Sequence, residues 1–301
     1  MKIFALPGNS MLVHGIVRHL EAEPGDFTVR RFPDGESYVR LLCDVEGQQA
    51  VIVSTLFQPD DKILPLYYLT KLLKDSGAQS VTLVAPYLAY MRQDKVFNPG
   101  EAVTSDYFAA LLSSFVDRLI TIDPHLHRHV SMSEFYTIPC KVIHAAPLLS
   151  DWIRQNVVNP VIVGPDSESE QWVSEVAQKA GAPFLVLEKV RRGDHDVDVS
   201  TPVVEPYASH TPVLVDDIIS TANTMIETVK HLRAKGMAPP VCIGVHPVFA
   251  GNAFDDLVAA GAAGVISCNT IQHPSNRIDV AEILATAISE YYQPIIRHGK
   301  K

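Results

Sequence analysis

Short apolar runs that alternate with amphipathic segments are the feature that most constrains the fold of this 301-residue chain. Runs rich in valine, isoleucine and leucine are typical of strands buried in a parallel sheet, and apolar residues at helical spacing indicate the covering helices. In the first half we predict strands at Lys2–Leu6, Ala50–Ser54, Val81–Pro86, Arg118–Asp123 and Lys141–His144. In the second half we predict strands at Pro160–Gly164, Pro183–Glu188, Pro212–Asp216, Val241–His246 and Gly264–Cys268. The alternation predicts the α/β class, with mainly parallel sheets flanked by helices.

The predicted helices carry recognisable end signals. They lie near Asp61–Ser76, Ser105–Phe115, Glu168–Ala180, Thr224–Lys235 and Asn252–Ala260. Thr104 is expected as the N-cap of the second of these helices. A glycine follows four predicted helices, at the position where a left-handed cap is favoured: Gly77, Gly181, Gly236 and Gly261.

The pattern divides the chain into two α/β units of similar size, residues 1–145 and 146–301, with no flexible linker between them. Residues 27–42 interrupt the first unit with alternating residues around Asp34-Gly35, which predicts a β-ribbon. The segment 279–292 has an apolar helical stripe that could pack back on the first unit.

Composition narrows the class of partner. Acidic residues number 34 against 25 lysines and arginines, and the net charge of −9 argues against a nucleic-acid-binding protein. No stretch is apolar for the roughly 18 residues of a membrane span, and the first residues do not form a signal-peptide core. The four cysteines are far apart in the sequence, as expected for reduced thiols in a cytoplasmic protein.

The segment Val213–Thr224, V-L-V-D-D-I-I-S-T-A-N-T, is the strongest chemical signal. It combines an apolar strand, two aspartates and a turn of small residues that leads into a helix. Backbone N–H groups and hydroxyls at Ser220, Thr221, Ala222, Asn223 and Thr224 suit a phosphate. Asp216 and Asp217 suit the vicinal hydroxyls of a sugar. The alternative is a capped helix after a strand that happens to end in two aspartates.

This segment resembles the phosphoribosyl-diphosphate binding motif of the phosphoribosyltransferase-like fold. Five further segments stand in the order found in ribose-phosphate diphosphokinases: R-F-P-D-G-E (31–36), P-Y-L-A-Y-M-R-Q-D-K (86–95), D-P-H (123–125), G-P-D (164–166) and K-V-R-R (189–192). The chain looks closest to the archaeal-type members in three stretches: F-N-P-G-E-A-V-T-S (97–105), D-D-I-I-S-T (216–221) and G-V-H-P-V-F (244–249). The resemblance implies two phosphoribosyltransferase-like domains, the first on the ATP side and the second on the ribose 5-phosphate side.

The resemblance also implies a reaction and its residues. The family moves the β,γ-diphosphoryl group of ATP to the C1 hydroxyl of ribose 5-phosphate and releases AMP, with Mg²⁺ as cofactor. By resemblance, the ATP-binding residues are Phe32, Asp34, Glu36, Arg92, Gln93 and His125. The residues expected to contact the metal are His125 and Asp166. The expected catalytic cations are Lys189 and Arg191, in a loop that closes over the β-phosphorus. In the family the ribbon reaches a neighbouring subunit, which implies a homo-oligomer with shared ATP sites.

Several residues also have ordinary structural interpretations. His125, His127 and His129 alternate and could instead bind zinc. Asp166 could cap the helix predicted near Glu168, Phe32 could belong to a core or an interface, and Lys189–Arg192 could be a solvated charge run. Arg92 and Gln93 could be surface residues.

Two departures from the family pattern leave rival functions open. Ser167–Trp172 replaces small residues after Asp166, and Ala222-Asn223 replaces a pair that usually contains glycine. Asn223 tolerates a left-handed conformation better than most residues, which favours survival of the turn. The rivals are a catalytically silent paralogue that regulates an active synthetase, a diphosphokinase with altered donor or acceptor, and a plain phosphoribosyltransferase. The last needs neither R-Q-D-K nor K-V-R-R.

Overall fold

The computed structural model describes residues 1–126, 131–164, 169–186, 188–192, 196–200 and 204–292. The chain forms two compact units. Unit 1 comprises Met1–Ile143 together with Val280–Lys301, and unit 2 comprises His144–Asp279. Among the described helices, none is long and apolar enough to cross a membrane.

Unit 1 is built on a six-stranded parallel sheet in the order β2-β1-β5-β6-β7-β8. Its strands are β1 (Lys2–Ala5), β2 (Glu23–Pro24), β5 (Gln49–Val53), β6 (Ser80–Ala85), β7 (Arg118–Ile122) and β8 (Cys140–Ile143). Its helices are α1 (Ser10–Leu20), α2 (Asp60–Asp75), α3 (Thr104–Ser113) and the C-terminal α8 (Ala281–Tyr292). A separate antiparallel ribbon consists of β3 (Phe27–Arg31) and β4 (Ser37–Leu41).

The central strands of unit 1 are buried on both faces, which explains their unbroken apolar runs. The side chains from Ala50 to Val53 in β5 are wholly inaccessible to solvent. All five predicted strands of this half are present, whereas the sequence analysis missed α1 and the short edge strand β2. The predicted N-cap is wrong, because Thr104 is the first helical residue and Val103 precedes it. Gly77 has the expected positive φ, 85°.

Helix α8 packs on unit 1, chiefly against α1. Gly15 allows this close approach, because a Cβ atom there would lie 2.7 Å from the Cβ of Ala281. At the end of α8, the hydroxyl of Tyr292 is hydrogen-bonded to Thr82 Oγ1 at 2.6 Å. The guanidinium of Arg118 lies 5.3 Å from the centroid of the Tyr292 ring.

Unit 2 repeats the architecture with a six-stranded parallel sheet in the order β10-β9-β13-β14-β15-β16. Its strands are β9 (Pro160–Gly164), β10 (Phe184–Val186), β13 (Thr211–Ile219), β14 (Val241–Pro247), β15 (Gly264–Cys268) and β16 (Asn276–Ile278). Its helices are α4 (Ala146–Asn156), α5 (Glu170–Ala180), α6 (Asn223–Ala234) and α7 (Ala253–Ala259). The sequence analysis missed α4 and β16.

A second ribbon in unit 2 corrects one prediction. Glu188–Arg192 forms β11, which pairs antiparallel with β12 (Asp196–Ser200), so the segment expected to be a loop is a strand. Alternation of Val190, Val197 and Val199 with polar residues is the period-two signal that favours a strand, and the charge run obscured it.

The strand order locates a ligand crevice in unit 2. The chain passes from β9 outward to the edge strand β10 and then returns to β13 on the other side of β9. In open α/β sheets, ligands bind beyond the carboxyl ends of the strands where the order reverses in this way. The crevice therefore lies where β9 and β13 end, at Gly164 and Ile219.

Candidate active site

The two aspartates of the strongest motif lie inside β13, not beyond it. The predicted strand ended at Asp216, but pairing with β14 continues to Ile219, which lies opposite Pro247. Asp217 N–H donates to Asp216 Oδ1 at 3.0 Å, and Ile218 N–H donates to Asp217 Oδ1 at 2.8 Å. Both aspartates are half-buried. A carboxylate has about four acceptor positions, so each can hold this N–H and also accept from a sugar hydroxyl.

The sugar-phosphate loop, Ser220–Thr224, turns sharply into α6. The left-handed residue is Ala222, with φ 59° and ψ 8°, and Asn223 is already the first residue of the helix. The expectation that Asn223 would supply the left-handed conformation is therefore wrong. Thr221 and Asn223 are exposed, whereas Ala222 is 8% exposed and belongs to the apolar core of unit 2.

The helix start leaves donors for an anion. The first N–H groups of an α-helix have no partner within the helix and carry the positive end of its dipole. In α6 those groups belong to the residues from Asn223 onward, directly after the Ser220 and Thr221 hydroxyls. The loop therefore has the chemistry to bind the phosphate of a sugar phosphate.

The loop after β14 is hydrogen-bonded to the start of the sugar-phosphate loop and stabilises it. Phe249 N–H donates to Ile219 O at 2.9 Å, and Ala250 N–H donates to Ser220 O at 3.0 Å. Phe249 is itself in a left-handed conformation, with φ 38°. The two backbone bonds tie the entry of the sugar-phosphate loop to the neighbouring strand end.

An aromatic cluster holds that bracing loop. The ring centroid of Phe249 lies 4.6 Å from that of His273 and 5.4 Å from that of Phe254. His273 Nδ1 accepts the N–H of Ser275 at 3.2 Å, which requires that this nitrogen be unprotonated. Burial lowers the pKa of His273 and favours the same neutral form. The sequence analysis gave Phe249 and His273 no role in the site, because both are far from the loop in sequence.

In unit 1, the ribbon turns at Asp34-Gly35 as predicted. Phe32 N–H donates to Glu36 O at 2.8 Å, and Glu36 N–H donates to Asp34 Oδ1 at 3.1 Å. Phe32, Asp34 and Glu36 are all exposed at this turn. Arg31 Nη2 donates to Asp61 Oδ1 at 2.7 Å, which ties the ribbon to the first turn of α2.

Beside the ribbon turn lies a groove of about 350 Å³ whose lining combines three carboxylates with Arg31 and apolar residues. It is lined by Glu36, Asp60, Asp61, Tyr68 and their neighbours. The start of α2 therefore faces the turn that carries Asp34 and Glu36.

Arg92 and Gln93 lie in the loop between β6 and α3, beyond the carboxyl end of β6. Arg92 is exposed, whereas Gln93 is half-buried and anchors the start of α3. Gln93 Oε1 accepts the hydroxyl of Thr104 at 3.1 Å, and Gln93 O accepts the N–H of Ser105. Gln93 thus has a structural contact in addition to the predicted ligand contact.

His125 follows β7, the strand next to β6, so it lies at the same edge of the sheet as the Arg92 loop. It is half-buried and comes two residues after Asp123, whose N–H donates to Ile143 O. His127 and His129, the other members of the alternative zinc set, lie outside the described residues. Within the described ranges, no group of three or more potential metal ligands comes together.

Asp166 also lies outside the described residues, as do Ser167 and Glu168 of the departing segment. The described part of α5 begins at Glu170, after Ser169, and the alternative capping role of Asp166 falls outside the described residues. Lys189 and Arg191 lie in β11, opposite Val199 and Val197. Only the backbone of this ribbon is described.

Two polar residues of unit 1, one buried and one half-buried, make contacts that were not anticipated. Asn9, 3% exposed, accepts the N–H of Thr55 at 2.9 Å and donates to the carbonyl of Leu6. Lys62 Nζ donates to the carbonyls of Thr55 and Phe57, and burial lowers its pKa. The short polar segment P-G-N after β1 was the available signal for Asn9.

Comparison with known proteins identifies the family. A model described as the N-terminal domain of ribose phosphate pyrophosphokinase matches residues 1–115, and a phosphoribosyl transferase domain matches residues 131–282. Proteins named ribose-phosphate pyrophosphokinase from Methanobrevibacter smithii and Methanothermobacter thermautotrophicus are 32% and 33% identical to the chain. The alignments cover 87% of this chain in both cases, and 91% and 90% of the relatives. The chain belongs to the ribose-phosphate pyrophosphokinase family.

A solved structure agrees with this family. The crystal structure of phosphoribosylpyrophosphate synthetase from Mycobacterium smegmatis matches with a TM-score of 0.85 and 25% identity, covering 97% of this chain and 98% of that one. The ribose-phosphate pyrophosphokinase fold, with two phosphoribosyltransferase-like domains, therefore extends over nearly the whole chain. A relative from Archaeoglobus fulgidus named ribose-phosphate pyrophosphokinase 2 is 32% identical over 96% of the chain and 100% of its own length.

Proposed function

We propose that the chain is a ribose-phosphate diphosphokinase that makes phosphoribosyl diphosphate and AMP from ATP and ribose 5-phosphate. The C1 oxygen of the sugar attacks the β-phosphorus of ATP. A C1–O–P bond forms, the bond from the β-phosphorus to the oxygen bridging the α- and β-phosphates breaks, and AMP leaves with that oxygen. The C1 hydroxyl proton is released to solvent.

The observation that carries this proposal is the arrangement at the carboxyl end of β13. Asp216 and Asp217 lie in the last part of β13, which ends at Ile219, and the sugar-phosphate loop that follows leads into the open N–H groups of α6. In the proposal, the aspartates orient the ribose hydroxyls, and Ser220, Thr221, Ala222, Asn223 and Thr224 hold the 5-phosphate. Holding the acceptor in one orientation removes much of the entropy cost of the reaction.

ATP is proposed to enter as its magnesium complex, held on the unit 1 side. Phe32 offers an exposed ring for adenine. Polar contacts to ATP come from Asp34, Glu36, Arg92 and Gln93. The metal is proposed to be contacted by His125 and Asp166. Mg²⁺ usually binds through one or two carboxylates plus substrate phosphates, so the Asp166 carboxylate would supply the protein ligand of that pattern, and His125 is the further group that the resemblance implies. When bound, Mg²⁺ neutralises phosphate charge and polarises the phosphorus being attacked.

Lys189 and Arg191 are proposed to stabilise the charge on the moving diphosphoryl group. Phosphoryl transfer depends mainly on positioning and on cations around the transferred group. The exposed ribbon turn supports the proposal that ATP sites are shared between copies in a homo-oligomer. The four cysteines are free thiols, which supports a cytoplasmic location.

The decisive experiment incubates the purified protein with Mg²⁺, ATP and ribose 5-phosphate and follows the phosphorus NMR spectrum. We expect AMP and the 1-diphosphate of the sugar in equal amounts. If ATP and ribose 5-phosphate bind but no product forms, the silent paralogue is favoured over the enzyme. If product forms only with another nucleoside triphosphate or another sugar phosphate, the donor or acceptor is altered.

A pair of lysine variants tests the catalytic assignment. Lys189→Ala should lower kcat by about two orders of magnitude or more, because the lost charge acts on the transition state. Stabilisation of the fold by ribose 5-phosphate alone should persist in this variant. Lys235→Ala, an exposed lysine at the end of α6, is the matched control and should behave as wild type. Equal loss of turnover and of ribose 5-phosphate binding would contradict the assigned role.

Shared sites have their own test. Phe32→Ala and Lys189→Ala damage different parts of the site, so a mixture of the two variants can rebuild an intact site only if the parts come from different copies. We expect activity of the mixture to exceed the sum of the separate variants at low ATP. No gain after subunit exchange, verified with labelled protein, would place each site within one copy.

A further inference from the structure

The ribbon of unit 1 has two chemically different faces. Its inward residues, Phe27, Val29, Val39 and Leu41, pack on the apolar core. Successive residues of a strand point to opposite sides, so Arg30, Phe32, Tyr38 and their neighbours form the outward face. Aromatic rings and a guanidinium therefore meet on the solvent side of the ribbon.

Three outward residues form a stack. Arg30 lies directly opposite Tyr38 in the antiparallel register, and Phe32 follows Arg30 on the same face. The guanidinium carbon of Arg30 is 4.2 Å from the centroid of the Tyr38 ring and 4.6 Å from that of the Phe32 ring. The two rings meet edge to face, with centroids 5.7 Å apart and planes at 86°. Phe32, 39% exposed, is thus held by its neighbours and still accessible.

We propose that Arg30, supported by Tyr38, is a positioning residue that fixes the Phe32 ring for stacking with the base of ATP. This inference rests on the proposed role of Phe32 in adenine binding. An exposed phenylalanine samples several side-chain rotamers, and restricting it to the one rotamer that a ligand needs weakens the binding of that ligand. A guanidinium over one ring face stabilises one rotamer before the nucleotide arrives and leaves the opposite face for the base.

The stack depends on the breadth of the Arg30 guanidinium as well as on its charge. A lysine ammonium is a compact, strongly hydrated point charge and makes a weaker contact with the two rings. Arg40 provides a comparison on the same ribbon face, because it is exposed and lies opposite Thr28. The described contacts give Arg40 no aromatic partner, so removing it changes the local charge equally without removing the stack.

The test compares Arg30→Ala, Arg30→Lys and the matched control Arg40→Ala in steady-state kinetics of the full-length enzyme. Exposed cation–π contacts correspond to about a two- to fivefold change in an equilibrium constant. We expect KM for ATP to rise by that factor in both Arg30 variants, with kcat and KM for ribose 5-phosphate unchanged. Arg40→Ala should retain the wild-type KM for ATP, and the Arg30 variants should change the unfolding equilibrium constant by no more than the same two- to fivefold factor.

Two outcomes would overturn the inference. If Arg30→Lys has the wild-type KM for ATP, charge alone matters and the stack does not. If Arg40→Ala raises KM as much as Arg30→Ala does, the effect comes from the general field of the ribbon.

The variant Phe32→Ala tests the proposed role of Phe32 in adenine binding separately from the role of Arg30. Loss of a base-stacking ring should raise KM for ATP about tenfold. If Phe32→Ala has that effect while Arg30→Ala behaves as wild type, only the role of Arg30 fails. If Phe32→Ala leaves KM for ATP unchanged, the ribbon does not bind adenine and both proposals fail.

Discussion

Ala222→Gly is the substitution whose outcome depends most directly on the geometry of the sugar-phosphate loop. Ala222 has φ 59° and ψ 8°, in the left-handed region. That conformation costs a residue with a Cβ atom about 1–2 kcal/mol, whereas glycine adopts it freely. Relief of this strain is the favourable part of the change.

Two losses oppose that gain. The Ala222 methyl group is buried in the core of unit 2, and removing a buried methyl group costs about 0.8 kcal/mol. Glycine also makes the unfolded chain more flexible, which costs about 0.4–1 kcal/mol of folding free energy. The sum predicts that Ala222→Gly changes the free energy of unfolding by less than about 1 kcal/mol.

Ala177→Gly is the matched control, because Ala177 is 1% exposed but lies within α5 in the ordinary helical conformation. Here glycine loses the methyl group and about 1 kcal/mol of helix propensity, with no strain to relieve. Its free energy of unfolding should fall by about 2 kcal/mol.

Urea unfolding of both variants measures the difference. Since glycine keeps the left-handed turn and the Ala222 methyl group faces the core, we expect KM for ribose 5-phosphate to be unchanged in Ala222→Gly. If Ala222→Gly proves as destabilising as Ala177→Gly, the left-handed strain assigned to Ala222 is refuted.

Three further substitutions test other contacts. Burial lowers the pKa of His273, so the unfolded state binds more protons as the pH drops through about 6.5, and the protein loses stability as the pH is lowered. His273→Asn should reduce the loss of stability between pH 7 and pH 5, measured by urea unfolding, and an unaltered loss would contradict this. Tyr136 has a buried hydroxyl with no partner among the described residues, so Tyr136→Phe should raise the free energy of unfolding by about 1 kcal/mol. Because burial raises the pKa of Tyr136, wild type should also lose stability above about pH 10, and the variant should lose less. Tyr292→Phe leaves Thr82 Oγ1 without its hydroxyl partner and should cost about 1 kcal/mol by thermal unfolding; a neutral result would show that α8 packs without that bond.

Much of the fold was predictable from local patterns. Buried parallel strands need continuous apolar runs, so all ten predicted strands are present, with small shifts of their ends. The left-handed conformation of glycines that follow helices was also predictable from local sequence, and Gly181 and Gly236 have the expected positive φ. Helix α1 was missed because His14 and Gly15 interrupt its apolar stripe, and Gly15 is needed for contact with α8, which comes from the far end of the chain.

In the candidate site, too, some features were predictable from local sequence and others depend on contacts between distant residues. The aspartates of β13 and the phosphate loop form one continuous segment, so their chemistry is readable from residue order alone. The bracing contacts of Phe249 with Ile219 and the packing of Phe249 on His273 join residues distant in sequence. No local pattern encodes such contacts.

By itself, the sequence determined the α/β class, the motif order that marks the family, and the segment proposed to bind the sugar phosphate, because each depends on residues adjacent in the chain. Only the tertiary structure decided that Ala222, not Asn223, takes the left-handed conformation. The reason is packing: the Ala222 methyl group fits the core of unit 2, and bonds from Phe249 and Ala250 hold the loop that precedes it. The docking of α8 on unit 1 likewise depends on a close approach at Gly15 that two distant segments must create together.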